Sequence, residues 1–198
     1  MERRDMLRHM GLSTGYLIAT PTIINILQSC TDDVKTWTPD FLSAEHIVLL
    51  NNIADILLPK TDIPSATDLN VSRFIDKYIN EVFNDKKQEQ MRTGFNKIVE
   101  KLKEKVGESI NKATESDYKS LLDKYMLVKG DIDKEREANL ESLILTKSEF
   151  LNSIKSMCIK AYLTTEEIGE NVLIYDPIPT TYYCGDLQEL TGGKSWSL

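Results

Sequence analysis

The fold class predicted for this chain is all-α, a single helical-bundle domain with an irregular C-terminal tail. Three observations carry that expectation. From Ser43 to Leu163 apolar residues recur at spacings of three and four, the period of a helix with one buried face. Outside Val172-Leu173-Ile174-Tyr175 no alternating strand pattern runs beyond about four or five residues. Short connections join the periodic segments, which favours an antiparallel bundle of roughly four to six helices. Internal repeats are absent.

The first segment stands apart from the bundle. Glu2-Arg3-Arg4-Asp5-Met6-Leu7-Arg8 precedes an uncharged stretch from Met10 to Thr31, which contains Leu27-Gln28-Ser29-Cys30. A basic start, an apolar middle and a small residue before a cysteine are the parts of a secretory signal segment. Arg3 and Arg4, with Met6 and Leu7 behind them, resemble the twin-arginine export signal, which serves proteins that are already folded, often around a cofactor. Leu27 to Cys30 resembles a lipobox, in which the cysteine takes a lipid; Gln28 departs from the usual pattern. An uncleaved membrane helix is the competing reading, since about 20 apolar residues span a bilayer, but Ser13, Thr14, Thr20, Pro21, Thr22 and Asn25 dilute this one. A cytosolic helix is the third. The expectation is a signal over residues 1–29, lipidation at Cys30, a polar tether over 30–40, and an exported periplasmic or cell-envelope lipoprotein held to the membrane by its lipid.

The helices then follow in order. Ser43 can cap a helix running to about Leu58, with Ile47, Leu50, Ile53, Ala54 and Leu57 on one face, and Pro59 ends it. Lys60 to Asp68 holds two prolines and short polar side chains, the composition of a turn-rich connection. Val71, Phe74, Ile75, Tyr78, Val82 and Phe83 give a short amphipathic helix. Met91, Phe95, Ile98, Val99, Leu102 and Val106 give another, with Lys97, Glu100, Lys101, Lys103 and Glu104 on its solvent side. Thr114 to Met126 opens with a Thr-x-x-Asp cap. Val128 to Asn139 is charge-rich and reads as an exposed loop or frayed helix. Asp131, Asp133 and Glu135 resemble the start of a calcium loop, but Arg136 stands where Gly is required and Ser142 where an acid is. A last helix from about Lys147 to Leu163 turns Phe150, Leu151, Ile154, Met157, Cys158 and Ala161 inward, and the pattern dissolves from about residue 170.

Charge and composition exclude several functions. A net charge of −7 and the lack of a basic stripe interleaved with aromatics argue against nucleic acid. His9 falls in the signal, leaving His46 as the domain's histidine; alone on a surface helix it reads as an ordinary polar residue, because a metal site or a nucleophile–histidine pair needs converging partners. No phosphate loop, dinucleotide fingerprint or haem-attachment motif is present. Catalytic, cofactor-binding and metal-ligating residues are therefore expected to be none. Cys158 and Cys184, placed outside the cytoplasm, either pair or remain two thiols; a bridge would close a loop of about 27 residues and contribute on the order of 3–4 kcal/mol.

Two motifs point to a family. Asp55-Ile56-Leu57-Leu58-Pro59 with Thr61-Asp62-Ile63-Pro64, then Asp68, Val71, Phe74, Ile75 and Asp76, form the first. Tyr162, Thr164-Thr165-Glu166-Glu167-Ile168-Gly169, Tyr175, Ile178-Pro179, Tyr182, Cys184 and Gly193-Lys194-Ser195-Trp196 form the second. Together they resemble the gluconate 2-dehydrogenase subunit 3 family, over nearly all of the chain past the signal; Ser109 to Leu145 is less family-like. Ser65 and Thr180 stand where the family often has Gly, in turns. The resemblance implies a small, non-catalytic subunit of a membrane-associated dehydrogenase. Its partner is a large flavoprotein subunit of glucose-methanol-choline (GMC) type that carries FAD, with a c-type cytochrome as a further partner and electron acceptor.

An irregular tail bearing Tyr175, Pro177, Pro179, Tyr182, Tyr183 and Trp196 has the aromatic, rigid composition of interface anchors, and partner docking is expected there. The same residues could instead wrap the domain's own helices. A stand-alone surface lipoprotein that binds a glycan or a protein is the alternative to the escort subunit, and an enzyme in its own right is a third reading.

Overall fold

The computed structural model describes residues 37–126, 134–138, 142–176, 178 and 184–197. Arg3, Arg4, Cys30 and the signal segment lie outside the described residues. The unit that carries the helical fold spans Pro39–Leu198. Its elements are α1 (Ala44–Leu57), α2 (Val71–Val82), α3 (Asp85–Val106), a 3-10 turn (Ile110–Lys112), α4 (Glu115–Met126), α5 (Lys134–Glu137), α6 (Lys147–Leu163), a π-helical turn (Glu167–Val172) and α7 (Leu187–Thr191). No strand occurs among the described residues. Helix α6 packs on α2, α3 and α4, and α1 packs across the same core.

Helix α1 starts where Ser43 Oγ accepts the His46 N–H at 3.2 Å. His46 closes the capping box in return, its Nδ1 accepting the Ser43 N–H at 3.4 Å. That leaves Nε2 to donate to Asn96 Oδ1 at 2.9 Å, while the ring stacks on Phe95 at 5.1 Å. The sequence reads His46 as an ordinary surface residue; it is buried instead, a structural link from α1 to α3. Burial holds its pKa below the usual 6.5, the Asn96 bond opposing this. The unfolded chain therefore takes up this proton first, so the stability His46 contributes is complete above pH 6.5 and falls as pH drops through its lower folded value. His46→Gln, which keeps the capping-box geometry, should flatten the decline in thermal midpoint between about pH 6.5 and 5; an unchanged slope would remove His46 as its cause.

The connection after α1 is more ordered than its turn composition requires. Ser65 and Asp68 exchange side-chain and backbone hydrogen bonds at 3.1 and 3.2 Å. Asp55 accepts both the N–H and the hydroxyl of Thr67, at 2.9 and 2.7 Å. Tyr162 of α6 donates its hydroxyl to the Pro64 carbonyl at 2.6 Å, so the two ends of the family pattern meet here. Asn70 then takes a left-handed conformation, φ 55°, which Asn tolerates, and α2 begins.

Helix α3 begins six residues before the first apolar position that predicts it. Asn84 accepts the Lys87 N–H at 3.0 Å as its cap. Gln88 donates to the carbonyls of Ile79, Asn80 and Phe83, at 3.1, 2.9 and 3.2 Å, and so satisfies the end of α2. Thr114 donates its N–H and hydroxyl to Asp117 at 2.9 and 2.7 Å at the entry to α4; the Asp117 carboxylate thus makes its half of the expected Thr-x-x-Asp box, while the Thr hydroxyl donates instead of accepting.

The charged segment is no loose loop where it is described. Arg136 forms a two-pronged ion pair with Glu149 and donates to the carbonyls of Ser142 and Ile144. Glu135 pairs with Lys97 at 3.3 Å and Lys147 at 3.1 Å, so Lys97 tethers this segment rather than simply facing solvent. Helix α6 has the predicted bounds, opened by a Thr146–Glu149 capping box. The tail also departs from expectation. Its strand-like Val172–Tyr175 makes a single parallel bridge, Ile174 to Trp196, with backbone bonds of 2.9 and 2.8 Å. A π-helical turn and α7 add further local order.

Candidate docking surface

Helix α2 is where periodicity and burial part company. Its sequence predicts one apolar face containing Val71, Phe74, Ile75, Tyr78, Val82 and Phe83. The structure buries Val71, Ser72, Ile75, Asp76 and Ile79 and leaves Phe74, Tyr78 and Val82 exposed by 52, 37 and 60%. At about 100° per residue, the buried arc is rolled by roughly 60° from the apolar arc.

The cause of the roll is Asp76. Its side chain has no exposure, and its carboxylate accepts three backbone N–H groups of the lead-in segment: Asp40 at 2.8 Å, Phe41 at 3.1 Å and Leu42 at 2.7 Å. A carboxyl group with no exposure is tolerated only when its oxygens are hydrogen-bonded. Turning Asp76 inward carries Phe74 and Tyr78, on the opposite edge of the apolar stripe, out of the core; Val82, the last residue of the helix, is exposed in line with them.

These side chains form an ordered surface. Phe74 and Tyr78 stack with ring centres 6.1 Å apart, and Phe83 meets Tyr78 edge-on at 5.4 Å. A cleft of about 550 Å³ lies on one side, bounded by α2 and the end of α6 at Ala161, Thr164 and Thr165. A second, of about 490 Å³, lies between α2, α3 and α6 and reaches Met91 and Met157. Four cations, Arg73, Lys77, Lys87 and Lys160, and one carboxylate, Glu81, line the two clefts. None of these cations forms an ion pair with a carboxylate among the described residues. Lys87 instead sits 4.4 Å over the Phe83 ring.

The tail also exposes apolar side chains where it is described. Tyr175 and Trp196 are each half-exposed, and Ile178, Leu187 and Leu190 are exposed beside them in sequence. Pro177, Pro179, Tyr182 and Tyr183 lie outside the described residues. Cys158 and Cys184 are both free thiols in the structure. Cys158 points into the core, where burial pushes its pKa up to about 12, whereas Cys184 is exposed. A group that desolvated is a poor nucleophile and packs as a small apolar side chain. Among the described residues no three or more of His, Cys, Asp and Glu converge to hold a metal, and no helix is long and apolar enough to cross a membrane.

The sequence signal for this surface was present in α2 itself. Six apolar residues, Val71, Phe74, Ile75, Tyr78, Ile79 and Val82, fall in the twelve-residue helix with Phe83 directly after it, and the structure buries three of the six.

A helical domain that leaves the large apolar side chains of one helix uncovered, beside two clefts, has the make-up of an assembly subunit. The family model described as Gluconate 2-dehydrogenase subunit 3 matches residues 44–180, and the chain belongs to that family, a subunit of a dehydrogenase complex. The match runs through the charged middle as well and ends before Gly193-Lys194-Ser195-Trp196. Comparisons with curated proteins and with solved structures found no match.

Proposed function

We propose that this chain is the non-catalytic small subunit that exports, anchors and stabilises a GMC-type flavoprotein dehydrogenase acting on a sugar or polyol. The observation that carries the reading is the family match across the helical domain from residue 44, in a chain that opens with a segment built like an export signal over residues 1–29. The partner holds FAD and does the oxidation; this chain supplies the address through Arg3 and Arg4 and the membrane attachment through a lipid on Cys30. A c-type cytochrome takes the electrons onward in the cell envelope. The exposed face of α2 supports an assembling role, since uncovered aromatic side chains are stabilised by a partner.

Co-expression of the full chain with the flavoprotein subunit from the same source tests it. The two should co-purify from the envelope fraction with the yellow absorbance of bound flavin. Arg3→Lys with Arg4→Lys should strand both in the cytoplasm, with most of the flavin lost from the envelope fraction. A chain that stays colourless and alone in that experiment sinks the proposal, and a flavoprotein exported normally beside the double variant removes the escort role.

A further inference from the structure

We infer that the catalytic subunit docks on the Phe74–Tyr78–Val82 face of α2, through a segment that places apolar side chains in the two flanking clefts and carboxylates against Arg73, Lys77, Lys87 and Lys160. This rests on the proposed function and adds the place and chemistry of the contact.

The apolar part follows from exposure. Three large side chains on one line of a helix, two of them aromatic and mutually stacked, would hydrate at a cost unless covered. Clefts of about 550 and 490 Å³ on either side are large enough to receive bulky side chains, which is how aromatic anchors in pockets concentrate binding energy.

The charged part selects the occupant. The rim has four cations and one carboxylate on a chain of net charge −7, and the cations are not neutralised by carboxylates of the described fold. A second copy meeting this face across a two-fold axis would bring the same cations against themselves, and like charges juxtaposed at an interface cost several kcal/mol. An apolar segment edged by Asp or Glu satisfies both the rim and the clefts. The tail lacks this combination where it is described: around Trp196 and Tyr175 the nearby charges are Lys194 and Asp176.

The test uses the full chain co-expressed with the catalytic subunit. Tyr78→p-benzoylphenylalanine and, separately, Trp196→p-benzoylphenylalanine are irradiated in the purified complex, and the cross-linked peptides are identified by mass spectrometry. Position 78 should link to a catalytic-subunit peptide rich in apolar and acidic residues. Arg73→Glu with Lys77→Glu should weaken the complex by about tenfold or more at low salt and reduce its salt dependence. Because both side chains are exposed, its thermal midpoint should match that of the unsubstituted chain. Cross-links from position 196 alone, from position 78 to a second copy or back to the same chain, or an unweakened charge-reversed complex, would overturn the inference while leaving the proposed function standing. Failure of the unsubstituted chain to form any complex would defeat the proposed function itself.

Discussion

Asp76→Ala is expected to destabilise the domain by on the order of 3 kcal/mol, a drop of roughly 6–12 °C in thermal midpoint for a domain of this size. The carboxylate has no exposure and is the shared acceptor for the N–H groups of Asp40, Phe41 and Leu42. Alanine would leave those donors orphaned where Phe41 and Leu42 are themselves buried. The loss also removes the restraint on the roll of α2, so the variant should weaken complex formation beyond what its stability loss explains. Asp76→Asn keeps the shape and one acceptor but turns an NH2 group toward the donors, and should fall between the two. A midpoint within a degree of the unsubstituted protein for Asp76→Ala would show that the lead-in segment is held by something else.

Gly94→Ala is the second large effect, and its sign runs against helix propensity. In the interior of α3, Ala is favoured over Gly by about 1 kcal/mol. Here a Cβ would come within 2.2 Å of Phe150 Cδ2, and Phe150 is fully buried with its edge against Phe95 at 4.9 Å. That ring has nowhere to retreat, so the net change should be a loss of about 1–3 kcal/mol. Adding Phe150→Leu should recover part of the loss, a non-additivity that marks the two positions as one contact. A raised midpoint for Gly94→Ala alone would show that the close approach of α3 and α6 can relax at little cost.

Much of the fold was legible along the chain because its causes are local. Ser43 is a cap whose hydrogen bond reaches three residues, and Pro59 follows the end of α1 because proline offers no N–H. Helix α6 ran to its predicted ends, Lys147 and Leu163, for the same reason. The family was legible too, because its first motif, Asp55 to Asp76, and the second as far as Ile178-Pro179 both fall within the matched residues 44–180. Less legible were the features that depend on residues far apart. Lys97 reads as a solvated lysine until Glu135, 38 positions away, comes within 3.3 Å. His46 reads as a surface residue until Phe95 and Asn96 cover it.

The docking face shows where that division falls. Composition and period determined that α2 is a helix with one apolar face. Which of its apolar side chains face outward was decided only in the folded domain, by a carboxylate that had to find three backbone donors more than thirty residues earlier in the chain. Periodicity describes how side chains are arranged around one axis; the roll of that axis against its neighbours is set by long-range hydrogen bonds and packing, which a single helix does not encode.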